Sequence, residues 1–81
     1  MSEYPIRSTE QLRALLQQLR HQAGWSQRQF GERIGLSQER ISAIENHPER
    51  ITVDQFLTVL MALDAEMAIG KRRPPAPDSP W

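Results

Sequence analysis

The sequence predicts an all-α fold. Four short helices, two of them a helix–turn–helix pair, are followed by a brief segment of alternating residues. Three observations lead there. Apolar residues recur at three- and four-residue spacings through residues 9–63, the period of helices lying against a core. Ser8, Ser26, Ser37 and Thr52 each precede such a segment, as N-caps do. Finally, the stretch "FGERIGLSQERIS", residues 30–42, places glycines at 31 and 35 between two of these segments, the punctuation of two helices joined by a tight turn.

Residues 1–7 form an extended arm, since Pro5 disfavours helix at the residue before it. Ser8 with Gln11 fits a capping box, and Leu12, Leu15, Leu16 and Leu19 line one face of a first helix over 9–22, stopped by Gly24. Ser26 with Gln29 opens a second helix over 27–34, with Phe30 and Ile34 on one face and Gly35 ending it. Ser37 caps a third over 38–46, with Ile41, Ile44 and the neighbouring Ala43 as its apolar positions, and His47-Pro48 closes it. Thr52 with Gln55 starts a fourth helix. It is apolar nearly all round (Val53, Phe56, Leu57, Leu60, Met61, Leu63), so it should be buried on more than one side. In residues 65–72, Ala65, Met67 and Ile69 alternate with Glu66 and Ala68, a period of two. This is a short strand or a frayed helical end, and a lone strand needs a partner from a second chain. Residues 73–81 form a flexible tail, in a stretch with four prolines between Lys71 and Trp81.

Composition narrows the function classes. The 81 residues suggest one domain, and a chain this small is marginal alone, so dimerisation is a reasonable source of burial. Without cysteine there is neither a disulfide framework nor a thiolate metal site. Mean hydropathy is −0.60 and no apolar run approaches the roughly 18 residues of a membrane helix. The N-terminus lacks a signal pattern, so a cytoplasmic location with no membrane partner is expected. No nucleophile–base set or metal cluster is legible, and His21 and His47 stand apart, so no enzyme, cofactor or metal is expected. Ten Lys and Arg balance ten Asp and Glu, but nine of the ten cations are arginine, the residue suited to bidentate phosphate and base contacts.

The two glycines acquire a purpose in a helix–turn–helix. Gly35 accommodates the left-handed turn. Gly31 costs about 1 kcal/mol in a helix interior, offset if its missing side chain lets the third helix cross closely. With Ile41 and Ile44 inward, the third helix turns Gln38, Glu39, Ser42 and Asn46 outward. Such a helix enters the DNA major groove with its first residues at the base edges. Gln38 can bond adenine N6 and N7, Ser42 several bases, and Glu39 cytosine N4. Arg40 points sideways towards a phosphate, and Gln27 and Arg28, at the start of the second helix, offer polar groups to another.

Residues 26–46, "SQRQFGERIGLSQERISAIEN", resemble the Cro/C1-type (XRE) helix-turn-helix family, whose pattern is met by Gln27, Gly31, Gly35, Ser37-Gln38, Ile41-Ser42 and Glu45. The resemblance implies a lambda-repressor-like helix-turn-helix bundle over residues 8–64 and a homodimer on palindromic operator DNA, acting as a repressor. A narrower resemblance, carried by "TEQLRALLQQLRHQAGWSQ", "ITVDQFLTVLMALDAEMAI" and a tail ending in Trp, is to the HipB group of antitoxins. It implies autoregulation of a toxin–antitoxin operon, a short C-terminal strand (65–72) pairing across a dimer, and a HipA-type serine/threonine kinase toxin as partner. The alternative is a phage- or host-type repressor of the same family with no toxin. By position, Ser37, Gln38, Glu39 and Ser42 inherit base contacts, and Gln27, Arg28, Arg40 and Asn46 phosphate contacts. Phe56, Leu60, Met67 and Ile69 are expected at the dimer interface. Trp81, an aromatic on a polar tail, is the candidate anchor in a partner's pocket. A nucleoid-associated protein is the resulting expectation.

Overall fold

The computed structural model describes residues 4–72. Helix α1 spans Thr9–Gln22, α2 Gln27–Ile34, α3 Gln38–Asn46 and α4 Val53–Ala62, with a 3₁₀ turn at Pro48–Arg50 between the last two. The helix bounds follow the caps. Each of Ser8, Ser26, Ser37 and Thr52 has extended backbone, and its hydroxyl accepts from the N–H three residues on. That satisfies one of the donors a helix start leaves open.

Only one of the three expected capping boxes closes fully. At α2, Gln29 Oε1 accepts from Ser26 N at 2.9 Å while Ser26 Oγ accepts from Gln29 N at 3.1 Å. At α1, the Gln11 side chain bonds the N–H of Arg7 instead of that of Ser8. At α4, Gln55 is drawn away to Arg40 on α3. Replacing Ser26 with alanine removes half of the closed box. It is expected to cost about 1 kcal/mol, seen as a Tm lower by roughly 4–8 °C in thermal unfolding followed by circular dichroism. An unchanged Tm would show that water replaces the hydroxyl without loss.

The core is one cluster. Leu16 of α1, Phe30 of α2, Ile41 and Ile44 of α3, Val59 and Leu60 of α4, and Leu63 just beyond it are buried together. Burying each such side chain contributes about 1.5–3 kcal/mol. Trp25, in the loop before α2, packs on this core. Its ring stacks on Phe30 with centroids 5.6 Å apart, and the Arg33 guanidinium covers it at 4.5 Å from the ring centroid, a cation–π contact.

Helix α4 requires a correction. Leu60 is only 5% exposed and lies in the protomer's own core, and Phe56 packs against that core half-buried. Leu60 is therefore not the free surface expected of a dimer contact, while Phe56 keeps a partly exposed face. The exposed apolar residues are Val53, Leu57 and Met61, four apart and so on one stripe of the helix. Asp64 ends α4 in the left-handed conformation, φ 57°, with Ala65 N donating to Leu60 O at 2.8 Å. Residues 65–72 then carry no regular secondary structure in the single chain, and Met67 and Ile69 are exposed. A strand there requires the second chain that the sequence pattern calls for. The tail 73–81, with Trp81, lies outside the described residues.

Candidate nucleic-acid interface

Helices α2 and α3 meet at Gly31. A Cβ placed there would lie 2.4 Å from the Leu36 carbonyl oxygen, a distance no side chain tolerates against backbone, and 3.3 Å from Ile41 Cγ1, a tight contact. Gly31 O also accepts from Leu36 N at 2.8 Å, so the turn closes onto the helix it has just left. Gly35 sits at φ 75° and makes the turn itself. The two glycines therefore have separate duties, close approach and chain reversal.

A buried ion pair fixes the remaining angle. Arg20, in the last turn of α1, donates from Nε to Glu45 Oε2 of α3 at 2.6 Å and from Nη2 to Oε1 at 3.3 Å. Its Nη1 donates to the Trp25 carbonyl at 2.8 Å. Glu45 Oε1 also accepts from Gln27 Nε2, at 3.1 Å, from the first residue of α2. Arg20 is 7% and Glu45 3% exposed. One carboxylate thus ties α1, α2 and α3 together through a two-pronged charge-assisted bond. Arg20 was not singled out in the sequence. The signal was its position, four residues after Leu16 and eight after Leu12, on the inward face of α1.

With Ile41, Ile44 and Glu45 inward, the opposite side of α3 faces out. Ser37, Gln38, Glu39 and Arg40 are all exposed at its N-terminal end, Ser42 is half-buried, and Asn46 is exposed one turn beyond Ser42. Ser37 Oγ accepts from Arg40 N at 3.1 Å as the cap, leaving its hydroxyl proton free to donate. Ala43, between the inward Ile41 and Ile44 in the sequence, is exposed. At 100° per residue it lies opposite the Ile41–Glu45 face, so the helical period held the answer.

Several expected phosphate ligands have partners within the chain. Arg28 Nε pairs with Glu32 at 3.2 Å, both largely exposed, an i,i+4 pair that contributes little and opens readily. Arg40 bonds the Gln55 side chain of α4. Gln27 is held by Glu45 through one amide hydrogen, with the other and the helix N-terminus available. Asn46 Nδ2 donates to Ser42 Oγ at 3.2 Å. Near the end of α3, Glu49 is held below the ordinary carboxylate range, chiefly by a hydrogen bond from its own backbone N–H. His47 Nδ1 lies 3.3 Å from it. None of the described helices is long and apolar enough to cross a membrane.

Known proteins share this arrangement. Residues 11–68 match the family described as "Helix-turn-helix domain". Antitoxin HipB of Escherichia coli strain K12 is 33% identical over 79 residues, covering 98% of this chain and 90% of that protein. Antitoxin HipB of an Escherichia coli O6:H1 strain is 30% identical, covering 98% and 84%. Among solved structures, a HipB–O4 20mer complex superposes with TM-score 0.74 at 32% identity, covering 85% of this chain and 97% of that one. A HipA–HipB–O2–O3 complex does so with TM-score 0.75, at the same identity and coverage. A helix–turn–helix matched over most of the chain, and identity near one third across almost its full length, mean that the chain belongs to the helix-turn-helix domain family and, within it, to the family of the HipB antitoxins.

Proposed function

We propose that this protein is a homodimeric, sequence-specific DNA-binding repressor and antitoxin. It binds a palindromic operator, represses its own toxin–antitoxin operon, and holds a HipA-type serine/threonine kinase toxin. The observation that carries this reading is the exposed N-terminal turn of α3, bearing Ser37, Gln38 and Glu39 on a helix pinned from behind by Ile41, Ile44 and Glu45. That is the geometry a groove-reading helix needs. The HipA–HipB–O2–O3 complex among the similar structures supports both partners.

In this reading Ser37, Gln38, Glu39 and Ser42 meet base edges, and the Ala43 methyl suits a thymine methyl. Gln27, Arg28 and Arg40 meet phosphates, the two arginines exchanging weak internal bonds for charge-assisted ones. The dimer covers Val53, Leu57 and Met61 of α4 together with Met67 and Ile69, with residues 65–72 pairing as a strand across it. Residues 1–7 act as an arm, and the 73–81 tail carries Trp81 to the toxin. The protein works in the cytoplasm, at the nucleoid, and carries no catalysis, cofactor or metal of its own.

The test is a gel-shift titration on the DNA upstream of its gene. Gln38→Ala is expected to weaken specific binding by about 1–3 kcal/mol while sedimentation still shows a dimer. Wild-type binding must also weaken as salt rises, through counterion release. An unaltered shift for Gln38→Ala would remove α3 from the groove. Copurification with the product of the neighbouring gene, expected to be a kinase, separates the antitoxin from a plain repressor.

A further inference from the structure

Ser42 lies half-buried on the flank of the outward face of α3, one turn after Gln38 and one turn before Asn46. A hydroxyl has one proton to give and two lone pairs to offer, so by itself it reads donors and acceptors alike. Its surroundings here are not neutral. A helical side chain leans towards the N-terminus, which carries the Asn46 amide back onto Ser42, where Nδ2 donates to Oγ at 3.2 Å. One lone pair of Ser42 is thereby filled from below. Thr58 on α4 shows the other common fate of such a hydroxyl: its proton is spent on the carbonyl of Asp54 at 3.0 Å, four residues back. Among the described residues Ser42 Oγ has Asn46 as its partner and makes no such bond to its own helix. Its proton is free to point away from the bundle.

We propose that Asn46 is a positioning residue that fixes Ser42 as a hydrogen-bond donor towards DNA, in place of the phosphate contact expected of Asn46 from the sequence. The proposal rests on α3 being the groove-reading helix. It deepens that reading by assigning the chemistry of one contact. In the major groove the acceptors are guanine O6 and N7, adenine N7 and thymine O4, whereas cytosine offers only its N4 amino donor. At the base Ser42 faces, an acceptor is therefore favoured, and cytosine, whose amino group meets only the one lone pair that Asn46 leaves, is disfavoured. The same pair keeps Ser42 from competing for the donor that Glu39 would accept from cytosine, so neighbouring positions on α3 read opposite chemistries.

The experiment begins with selection from a randomised duplex pool by the full-length wild-type protein, which defines a preferred site. Binding to every single-base variant of that site is then titrated for wild type, Ser42→Ala, Asn46→Ala, Asn46→Asp and the double variant Ser42→Ala/Asn46→Ala. Asn46→Ala is expected to flatten base preference at one position per half-site, by roughly threefold to tenfold. Ser42→Ala should flatten the same position, and the double variant no further. Asn46→Asp has a carboxylate that only accepts, so it takes the Ser42 proton and turns a lone pair outward. Preference at that position should move towards cytosine.

The proposal is overturned if Asn46→Ala weakens every sequence alike and lowers the salt slope, the behaviour of a phosphate ligand. It is equally overturned if Asn46→Ala leaves the profile untouched. If Ser42→Ala changes nothing while Gln38→Ala does, the positioning role falls and the groove-reading helix stands. If the wild type selects no sequence, both fall together.

Discussion

Glu45→Ala is expected to destabilise the protein by about 3–5 kcal/mol, the cost of leaving a buried charge without its counterpart. The Arg20 guanidinium would keep a single partner, the Trp25 carbonyl, and lose both carboxylate bonds. Gln27 would lose its acceptor at the same stroke. Domains carry roughly 0.05–0.15 kcal/mol of stability per residue, so the loss takes a large share of what a chain of 81 residues has. Urea unfolding with a double-mutant cycle measures it. Arg20→Leu/Glu45→Leu should recover much of the loss, because a buried ion pair exchanged whole for apolar residues is often neutral or better. A loss below about 1 kcal/mol for Glu45→Ala would place the pair with exposed ion pairs and contradict its burial.

Gly31→Ala is expected to cost about 2 kcal/mol or more, although alanine is the better helix former by about 1 kcal/mol. The new methyl would meet the Leu36 carbonyl at 2.4 Å, and that oxygen belongs to the backbone of the turn, so it cannot swing aside. Relief requires α2 and α3 to move apart, which loosens the contact with Ile41 and stretches the Leu36 N to Gly31 O bond, 2.8 Å long. Overpacking of this kind costs about 1–3 kcal/mol, and the broken bond adds about 1 kcal/mol. Gly35→Ala is the control. Nothing lies within 4 Å of its Cβ position, so its penalty is only the left-handed backbone, about 1–2 kcal/mol. The two variants differ further in DNA binding. Gly31→Ala tilts the groove helix, so its operator affinity should fall by more than its stability explains. Calorimetry and gel shifts on both variants check this, and a Gly31→Ala protein with unchanged Tm would refute the close crossing.

The helices were legible because their signals are local. Ser26 and Gln29 sit three apart, and nothing elsewhere competes for either. Gln55 sits at the same offset from Thr52, yet its side chain goes to Arg40, fifteen residues away. Spacing along the chain cannot reveal a competitor brought by the fold. Leu60 was legible as apolar, but which of two surfaces it joins depends on how α4 rotates against α2 and the shared core, and that rotation is set by packing. The outward residues of α3 followed from the inward ones. Arg20 and Glu45 were the hardest to see. A charged residue on an apolar stripe reads as a flaw until its partner, 25 positions on, is found in the same interior.

The Arg20–Glu45–Gln27 cluster also constrains how the sequence can drift. Every single replacement of Arg20 or Glu45 by an apolar residue passes through a protein with a stranded charge, while the state with both replaced lies near the starting stability. The landscape between them has a valley, crossed only by simultaneous change or from a background with stability to spare. Gln27 stands at the rim: it rests on the carboxylate but carries no charge, so it is the member whose replacement strands none. Its substitution would alter the start of α2 while the pair beneath it held.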